Sequence, residues 1–453
     1  MMRAALIAIA TLLAFPVLAA SPFGTPVAGG CQTALCNADT LEPYFEKLLE
    51  AAKHKAGSKP VHILQIGDSH TAGDAITGGW RDLLQARYGS GGRGVLPPGR
   101  PYQGFLAYGA TISMSPGWTV KSTFGRDSSD PRPPIGLSGF SLTSQKDRAT
   151  ISLTADAGEA FDRFVICALA KPGASSLAIQ IGFNTIDFDL SSFATRTECK
   201  TIRTPEAQLT AQVTALGGPV TITSWATFRD AGGVVVSNLG VVGSQLVHFG
   251  RTDDAVVSEE MRSYRPDLIV IAFGTNEGFS PRVEPSEYEI VLRSQISRIR
   301  RLAGNVPILM LGAPDANTRN TGLAANAPAS PIDCNAKTQS IEDIVASVAP
   351  FSDGSAPQAP MQANPAIADR PLFVPPGLGV VREIQRRVAI SLNIAFWDWQ
   401  ARMGGACSAS RFVRAETPLM RGDFVHFTKA GGWEIARMLQ GDLVAAQSAL
   451  AKP

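Results

Sequence analysis

The sequence predicts an α/β protein whose parallel sheet is interrupted by an inserted antiparallel β-sandwich module. Short apolar runs of strand length alternate with stretches of helical spacing, as in a parallel sheet covered by helices on both faces. Between about residues 101 and 229 the pattern changes to alternation of apolar and polar residues, with Gly and Pro between the runs. A chain of 453 residues is expected to form two or three domains of roughly 150 residues each.

The first predicted elements are a helix, a buried strand and a second helix. Apolar residues recur at helical spacing between residues 40 and 55, and residues 61–66 follow as a strand that runs into Gly67-Asp-Ser-His70. Trp80 and Leu84 mark the apolar side of the next helix. The same order of strand, turn and helix continues later in the chain. We expect further strands at 234–236, 268–273, 307–311 and 394–397, and further helices at 286–302 and 380–389.

Two segments depart from this order. Residues 149–155, 177–183 and 220–223 alternate with period two and are the strands of the inserted module. Residues 316–376 are rich in Ala, Pro, Asn and Ser and form too long a stretch for an ordinary loop. We expect a partly ordered excursion that is held by Cys334 and lines the rim of the active site.

The amino terminus indicates where the protein is located, and the charge balance limits what it binds. A basic start at Arg3, an apolar run over residues 4–18 and small residues at 19–21 predict a signal peptide over residues 1–20. The run is shorter than the roughly 20 residues of a membrane span, which favours a cleaved signal peptide over the alternative of an uncleaved anchor. Later apolar stretches have strand length, so no span is expected after cleavage. Lys and Arg total 41 against 39 Asp and Glu, with no basic cluster, which argues against nucleic-acid binding. We expect an exported protein, with the periplasm favoured and secretion possible.

Six cysteines remain after removal of the signal peptide, an even number that fits disulfide bonds in an oxidising compartment. Six cysteines allow fifteen pairings, and the sequence does not choose among them. We expect neighbour pairing because each pair would then lie within one region. No CxxC occurs, which disfavours a zinc or redox site. The expected pairs are Cys31–Cys36, Cys167–Cys199 and Cys334–Cys407.

Residues 89–94 match GxGxxG, but they follow a helix and precede two prolines, so they are predicted to form a loop. Ser69 is more informative because it lies at the carboxyl end of the first strand, where open α/β sheets bind ligands. Taken alone, Asp68-Ser69 could simply cap a helix.

Three further blocks follow in order. Gly243 lies in the loop after the strand at 234–236, and Asn276 follows the strand at 268–273. Asp423 and His426 precede the final helix. Each has a structural alternative, as a turn glycine, a loop cap or a surface histidine. All four blocks are nevertheless expected at one edge of one sheet, which favours a functional site.

With these blocks the chain resembles the SGNH (GDSL-type) hydrolases, over residues 41–100 and 234–453. Gly67-Asp-Ser-His-Thr-Ala-Gly-Asp74 and Phe396-Trp-Asp-Trp-Gln400 look more specifically like bacterial peptidoglycan O-acetylesterases. The resemblance implies a flavodoxin-like three-layer domain over 21–100 and 234–453, with a carbohydrate-binding-like β-sandwich at 101–233. Glu277 departs from the family pattern, which often has Asp after the block Asn.

The resemblance implies a catalytic triad of Ser69, His426 and Asp423. Ser69 would attack an acetyl carbonyl, His426 would act as general base and Asp423 would orient its ring. The oxyanion hole would consist of the Ser69 and Gly243 backbone N–H groups and the Asn276 side chain. This chemistry requires no metal or other cofactor. Modules like the inserted one sometimes hold calcium in the family, which leaves calcium binding open, and nothing in the sequence locates a site. His70 is expected to be a site-wall or structural residue, and His248 a packing residue.

The expected function is removal of O-acetyl groups from a cell-wall polysaccharide, with peptidoglycan favoured. An acetyltransferase or an esterase for another acetylated glycan remains open, because transfer uses the same acyl-enzyme. A lipase, a thioesterase or a non-catalytic carbohydrate-binding protein is less favoured. Carbohydrate contact by the inserted module, where Trp118 and Trp225 lie, also remains open. The sequence does not identify substrate-binding residues or the oligomeric state.

Overall fold

The computed structural model describes residues 31–32, 34–53, 58–124, 134–280, 283–320, 334 and 372–451. Its largest sheet has seven strands in the order β1-β2-β18-β17-β16-β3-β15. The five strands from β18 to β15 are parallel, and the hairpin β1–β2 pairs antiparallel with β18. These strands are β1 (Cys31–Gln32), β2 (Leu35–Cys36), β3 (Val61–Gly67), β15 (Val234–Gly240), β16 (Leu268–Ala272), β17 (Ile308–Leu311) and β18 (Ala395–Trp397).

Helices cover both faces of this sheet. Alternate residues of β3 enter two separate cores: Val61 and Ile63 lie in one, and Leu64 and Ile66 lie in the other. This explains why the strands are apolar throughout. The first core packs against α1 (Glu42–Ala51), α3 (Ala75–Tyr88), α9 (Trp399–Met403), α10 (Ser408–Val413) and α11 (Lys429–Leu450). The second packs against α4 (Leu246–Phe249), α5 (Asp254–Tyr264), α7 (Pro285–Ala303) and α8 (Pro376–Ser391). Two short helices, α2 (Ser69–Ala72) and α6 (Thr275–Gly278), directly follow β3 and β16.

Residues 94–228 add two antiparallel sheets, with the strand orders β11-β10-β13-β8-β5 and β12-β9-β14-β7-β6, and β4 pairs with β14. Side chains from both sheets share one hydrophobic core. The predicted alternation is visible in β8, where Ile151, Leu153 and Ala155 are buried. The strands are β4 (Gly94–Leu96), β5 (Ala110–Met114), β6 (Trp118–Ser122), β7 (Phe140–Ser144), β8 (Thr150–Ala155), β9 (Phe161–Ala170), β10 (Ser176–Ile181), β11 (Asn184–Asp189), β12 (Arg196–Gln208), β13 (Thr210–Leu216) and β14 (Val220–Phe228).

Glu260 on α5 joins the antiparallel sheets to the parallel one. Its buried carboxylate accepts hydrogen bonds from Leu137 N at 2.6 Å, Thr223 Oγ1 at 2.7 Å and Ser224 Oγ at 2.5 Å. Burial raises the pKa of Glu260, and these three donors oppose the rise. Replacing one partner would leave a buried polar group unsatisfied, which typically costs about 1–3 kcal/mol.

The expected cysteine pairing is confirmed, with bonds between Cys31 and Cys36, Cys167 and Cys199, and Cys334 and Cys407. The signal peptide at 1–20 lies outside the described residues, and so does most of the predicted excursion at 316–376. At the ends of that excursion Thr318 pairs with Phe373 in an isolated bridge. None of the helices in the described ranges is both long and apolar enough to cross a bilayer.

Several boundaries differ from the sequence predictions; the helix predicted at 380–389, for example, extends from Pro376 to Ser391. The strand predicted at 234–236 extends to Gly240, because its whole length pairs with β3. The loop predicted at 89–94 ends in a strand, since Gly94 begins β4 and pairs with Thr227. Gly94 has a φ of +89°, and a Cβ there would lie 2.4 Å from Ser237 Oγ, so only glycine fits without strain.

Candidate active site

Ser69 lies directly beyond the carboxyl end of the central strand β3. Gly67 ends that strand, and Asp68 caps helix α2 by accepting the backbone N–H of His70 at 3.0 Å. A Cβ at Gly67 would lie 2.3 Å from Thr71 Oγ1 and 2.5 Å from the Ala272 carbonyl oxygen. The tight turn that presents Ser69 therefore requires glycine at its start.

The order of the sheet brings three of the predicted blocks together. Strand β3 lies between β15 and β16, and Gly67 is in register with Gly240 on one side and Ala272 on the other. The loops that carry Ser69, Gly243 and Asn276 therefore leave the sheet side by side at the same edge. Such an edge is where ligands bind in open α/β sheets.

Ser69, His426 and Asp423 form a continuous chain of hydrogen bonds. Ser69 Oγ lies 2.9 Å from His426 Nε2, and His426 Nδ1 lies 2.8 Å from Asp423 Oδ2. The side chains of Asp423 and His426 are each 38% exposed, so the chain is accessible from solvent. This is the arrangement of a nucleophile, a base and a group that orients the base, and it is able to support acyl transfer.

The loop before α11 holds Asp423 and His426 together. Asp423 Oδ1 accepts the backbone N–H groups of Val425 and His426, both at 2.9 Å, and Phe424 between them has a φ of +59°. Burial would raise the pKa of Asp423, but the hydrogen bond and charge of His426 and the two N–H groups hold it below its usual value. Asp423 is therefore ionised at neutral pH.

Asn276 and Gly243 belong to neighbouring loops that are bonded to each other. Asn276 Nδ2 donates to the Ser244 carbonyl oxygen at 2.8 Å, and Gln245 Nε2 donates to the Asn276 carbonyl oxygen at 3.2 Å. Gly243 has a φ of +75°, a conformation that favours glycine. A side-chain amide carries two N–H donors, and the bond to Ser244 uses one of them.

Glu277 also connects these two loops, a role that the sequence did not predict. Its Oε1 accepts the backbone N–H of Leu246 at 2.8 Å, which holds the start of α4 against α6. Burial raises the pKa of Glu277 to about 7, although the backbone donors around it act in the opposite direction. The only signal in the sequence was its position directly after Asn276.

The other predicted histidines lie in different environments. His70 is buried behind the candidate triad, where its ring lies 5.5 Å from that of His426. His248 accepts the backbone N–H of Gln245 at its Nδ1 and packs edge-on against Phe124. Trp225 is completely buried in the core of the antiparallel sheets, so it cannot stack on a sugar. Within the ranges that the structure describes, no group of three or more His, Cys, Asp or Glu residues could hold a metal ion.

A cavity of about 320 Å³ lies between α3, the first turns of α11 and the antiparallel sheets. Aromatic rings of Tyr108 and Trp433 lie against α3, where Cβ atoms at Gly78 and Gly79 would approach ring atoms to between 3.1 and 3.2 Å. The carboxylates of Asp82, Asp156 and Glu159 also line the cavity, and so does Lys429, which is three residues after His426. The charged residues that line the cavity are Arg81, Asp82, Asp156, Glu159 and Lys429.

No protein-family model and no curated protein matches the sequence. Among solved structures, a peptidoglycan O-acetylesterase matches with a TM-score of 0.65 and 24% identity, over 90% of this chain and 96% of that one. The chain shares the fold of that enzyme. An acetyl xylan esterase (TM-score 0.28, 15% identity, 47% of this chain and 82% of that one) also matches. So does a family two carbohydrate esterase from Clostridium thermocellum in complex with cellohexaose (TM-score 0.27, 12% identity, 74% and 100%). These two TM-scores are too low to support an argument.

Proposed function

We propose that this protein is an exported serine esterase that removes O-acetyl groups from a cell-wall polysaccharide, with peptidoglycan as the favoured substrate. The observation that carries the proposal is the hydrogen-bonded chain from Ser69 Oγ through His426 to Asp423. Its three members come from positions as far as 357 residues apart. Local helix capping does not account for such a long-range arrangement.

In the proposed mechanism Ser69 Oγ attacks the acetyl carbonyl carbon while His426 Nε2 takes the hydroxyl proton. Asp423 keeps the other ring proton on Nδ1 and stabilises the imidazolium. The tetrahedral intermediate then collapses: the bond to the sugar oxygen breaks, and His426 returns its proton to that oxygen. Water attacks the acetyl-enzyme in the same way, which releases acetate and regenerates Ser69.

The oxyanion hole in this proposal consists of the Ser69 and Gly243 backbone N–H groups and the Asn276 side-chain amide. Support comes from the sheet, which places their three loops side by side, and from the bond between Asn276 and Ser244. Donors that are fixed before the reaction need no reorganisation when negative charge develops on the carbonyl oxygen. The bonds among these loops would provide that fixation.

A polysaccharide substrate is supported by the fold shared with a peptidoglycan O-acetylesterase and by the cavity beside α11. Tyr108 and Trp433 offer aromatic rings, and the carboxylates of Asp82 and Glu159 accept hydrogen bonds from hydroxyl groups. Because Lys429 in this cavity is close in sequence to His426, a sugar bound there would belong to the same glycan chain as the acetylated one.

The domain division belongs to the same proposal. An SGNH-type, flavodoxin-like hydrolase domain would comprise residues 21–100 and 234–453, and the segment 101–233 would be a carbohydrate-binding-like β-sandwich. Residues 1–20 would direct export and be removed. The three disulfides fit an oxidising compartment. We favour the periplasm because a cell-wall substrate would be reached there, and secretion is the alternative.

Acetate release from O-acetylated peptidoglycan, acetylated xylan and an aryl acetate tests the proposal. We expect release from peptidoglycan by the wild type and by Ser113→Ala, a control on the exposed face of β5, but not by Ser69→Ala or His426→Ala. Near-normal turnover by Ser69→Ala would disprove the mechanism. Transfer of the acetyl group to an added sugar would instead indicate an acetyltransferase, and inactivity on all three substrates would indicate a binding protein or another acyl group.

A further inference from the structure

His70 has a hydrogen-bond acceptor at each of its two ring nitrogens. Its Nδ1 lies 3.2 Å from Asp68 Oδ1, and its Nε2 lies 2.9 Å from the carbonyl oxygen of Val425. The hydroxyl of Thr275, which can accept or donate, lies farther from Nδ1, at 3.4 Å. Carboxylate and carbonyl oxygens accept but do not donate, and only the imidazolium form of histidine has two N–H donors. The contacts therefore fit a doubly protonated ring. Burial lowers the pKa of His70, but Asp68 and the Val425 carbonyl outweigh burial and raise it above its usual value.

These two bonds connect the turn that carries Ser69 to the loop that carries His426. His70 directly follows Ser69, and Val425 directly precedes His426. We propose that His70 is a positioning residue, whose imidazolium holds the Val425 carbonyl and thereby sets the distance between His426 Nε2 and Ser69 Oγ. The inference rests on the proposed function, since it concerns the same serine and histidine.

The surroundings of His70 fix its ring and limit its role. It packs edge-on against Trp399 of α9 and Phe427, with ring centroids 5.5 and 5.6 Å apart. As an imidazolium, His70 has no lone pair with which to act as a base. It is therefore not a second general base beside His426, although the rings of these two histidines are 5.5 Å apart.

The charge of His70 should also affect the protonation of His426. A positive ring at this distance opposes a second positive charge on His426. The other charged or titratable groups around His70 are Asp68 from its own turn, Asp423 and His426 from the loop before α11, and Glu277 of α6, which faces Asp68. Removing the His70 side chain would remove this positive charge and leave Asp68 Oδ1 with the backbone N–H of residue 70 as its donor.

Two variants distinguish a positioning role of His70 from a packing role. His70→Phe keeps an aromatic ring against Trp399 and Phe427 but has no N–H, and His70→Gln keeps one donor without the charge. For the aryl acetate we expect kcat to fall about tenfold to a hundredfold in both, because small displacements of reacting groups cost that much. KM should stay within about twofold. A folded His70→Phe with wild-type kcat would overturn the proposal.

The pH dependence of kcat/KM is a measurement that a loss of packing alone would not change. In His70→Gln the acidic limb of kcat/KM, which reports the free enzyme's base, should shift to higher pH. The double variant Asp68→Asn/His70→Gln removes both charges and should return the limb towards the wild-type position while kcat stays low. An unshifted limb in folded His70→Gln would contradict the proposed charge.

The wild-type protein provides a test that does not depend on folding of the variants. In ¹⁵N-histidine NMR near pH 6.5, the ordinary pKa of histidine, we expect the doubly protonated form of His70 to be the major one. A neutral tautomer would overturn the inference. If the wild type and Ser69→Ala both release no acetate, the proposed function fails, and the NMR result still decides the protonation state of His70.

Discussion

Asn276 Nδ2 donates a hydrogen bond of 2.8 Å to the carbonyl oxygen of Ser244, the residue that follows Gly243. The bond crosses between the loops after β16 and β15, which lie on opposite sides of β3. It fixes the plane of the Asn276 amide and the course of the glycine loop together. In the proposed esterase both loops supply donors to one oxyanion, so their relative position would affect the rate of catalysis.

Asn276→Ala should lower kcat for an aryl acetate by about 10²–10³, the usual loss for one oxyanion donor. The substitution also removes the restraint on Ser244, so the loss should be at the upper end of that range. Stopped-flow or steady-state kinetics would measure it. Asn184→Ala, at an exposed position of β11, is the control and should behave as wild type. An Asn276→Ala enzyme within fivefold of wild type would exclude this donor.

Asp423→Asn should lower kcat by about 10⁴ if the carboxylate holds the histidine tautomer as it does in serine proteases. It should also change the pH dependence of stability. The pKa of Asp423 is depressed in the folded protein. The ionised carboxylate therefore stabilises the fold at pH values above the unfolded pKa, and this contribution is lost as the pH falls through the folded pKa. The difference in Tm between wild type and variant should therefore be present at pH 7 and become smaller as the pH falls below the unfolded pKa of about 3.9.

Glu277→Gln should change stability in the opposite sense with pH. The pKa of Glu277 is raised to about 7 in the folded state, so its stabilising effect is complete below the unfolded value near 4.5 and is lost as pH rises to about 7. Glutamine keeps an acceptor for Leu246 N but does not titrate. Between pH 4.5 and 7, the free energy of unfolding of the variant should rise relative to that of the wild type by up to about 3 kcal/mol. Urea unfolding at pH 5 and pH 8 would measure this gain, and a pH-independent difference would exclude it.

Trp433→Ala should raise KM for acetylated glycan chains by about tenfold, since aromatic contacts of this kind contribute roughly 1 kcal/mol or more each. Kinetics on the aryl acetate should be unchanged, because that substrate does not reach the cavity. Phe183→Ala, at a fully exposed turn of the antiparallel sheets, is the matched control. An effect of Phe183→Ala alone would place glycan binding on the inserted module instead.

Much of the fold was predictable from local patterns. Period-two alternation identified three of the antiparallel strands, at 149–155, 177–183 and 220–223, and short apolar runs identified the parallel ones, because burial of one or both faces determines which consecutive residues are apolar. The other antiparallel strands were not predicted individually. The sequence missed the extension of β15 to Gly240 and the strand at Gly94–Leu96. Both depend on pairing with strands more than a hundred residues away, or on glycines that permit a close approach.

For the site, the sequence by itself determined the candidate residues: Ser69 and Asn276 follow predicted strands, Asp423 and His426 precede the final helix, and the four occur in a recognisable order. Only the tertiary structure decided what holds them in place. The bonds of His70 to Val425 and of Glu277 to Leu246 span 355 and 31 residues. No periodicity or motif predicts such contacts, because hydrogen-bond geometry and burial depend on which loops the sheet order places side by side.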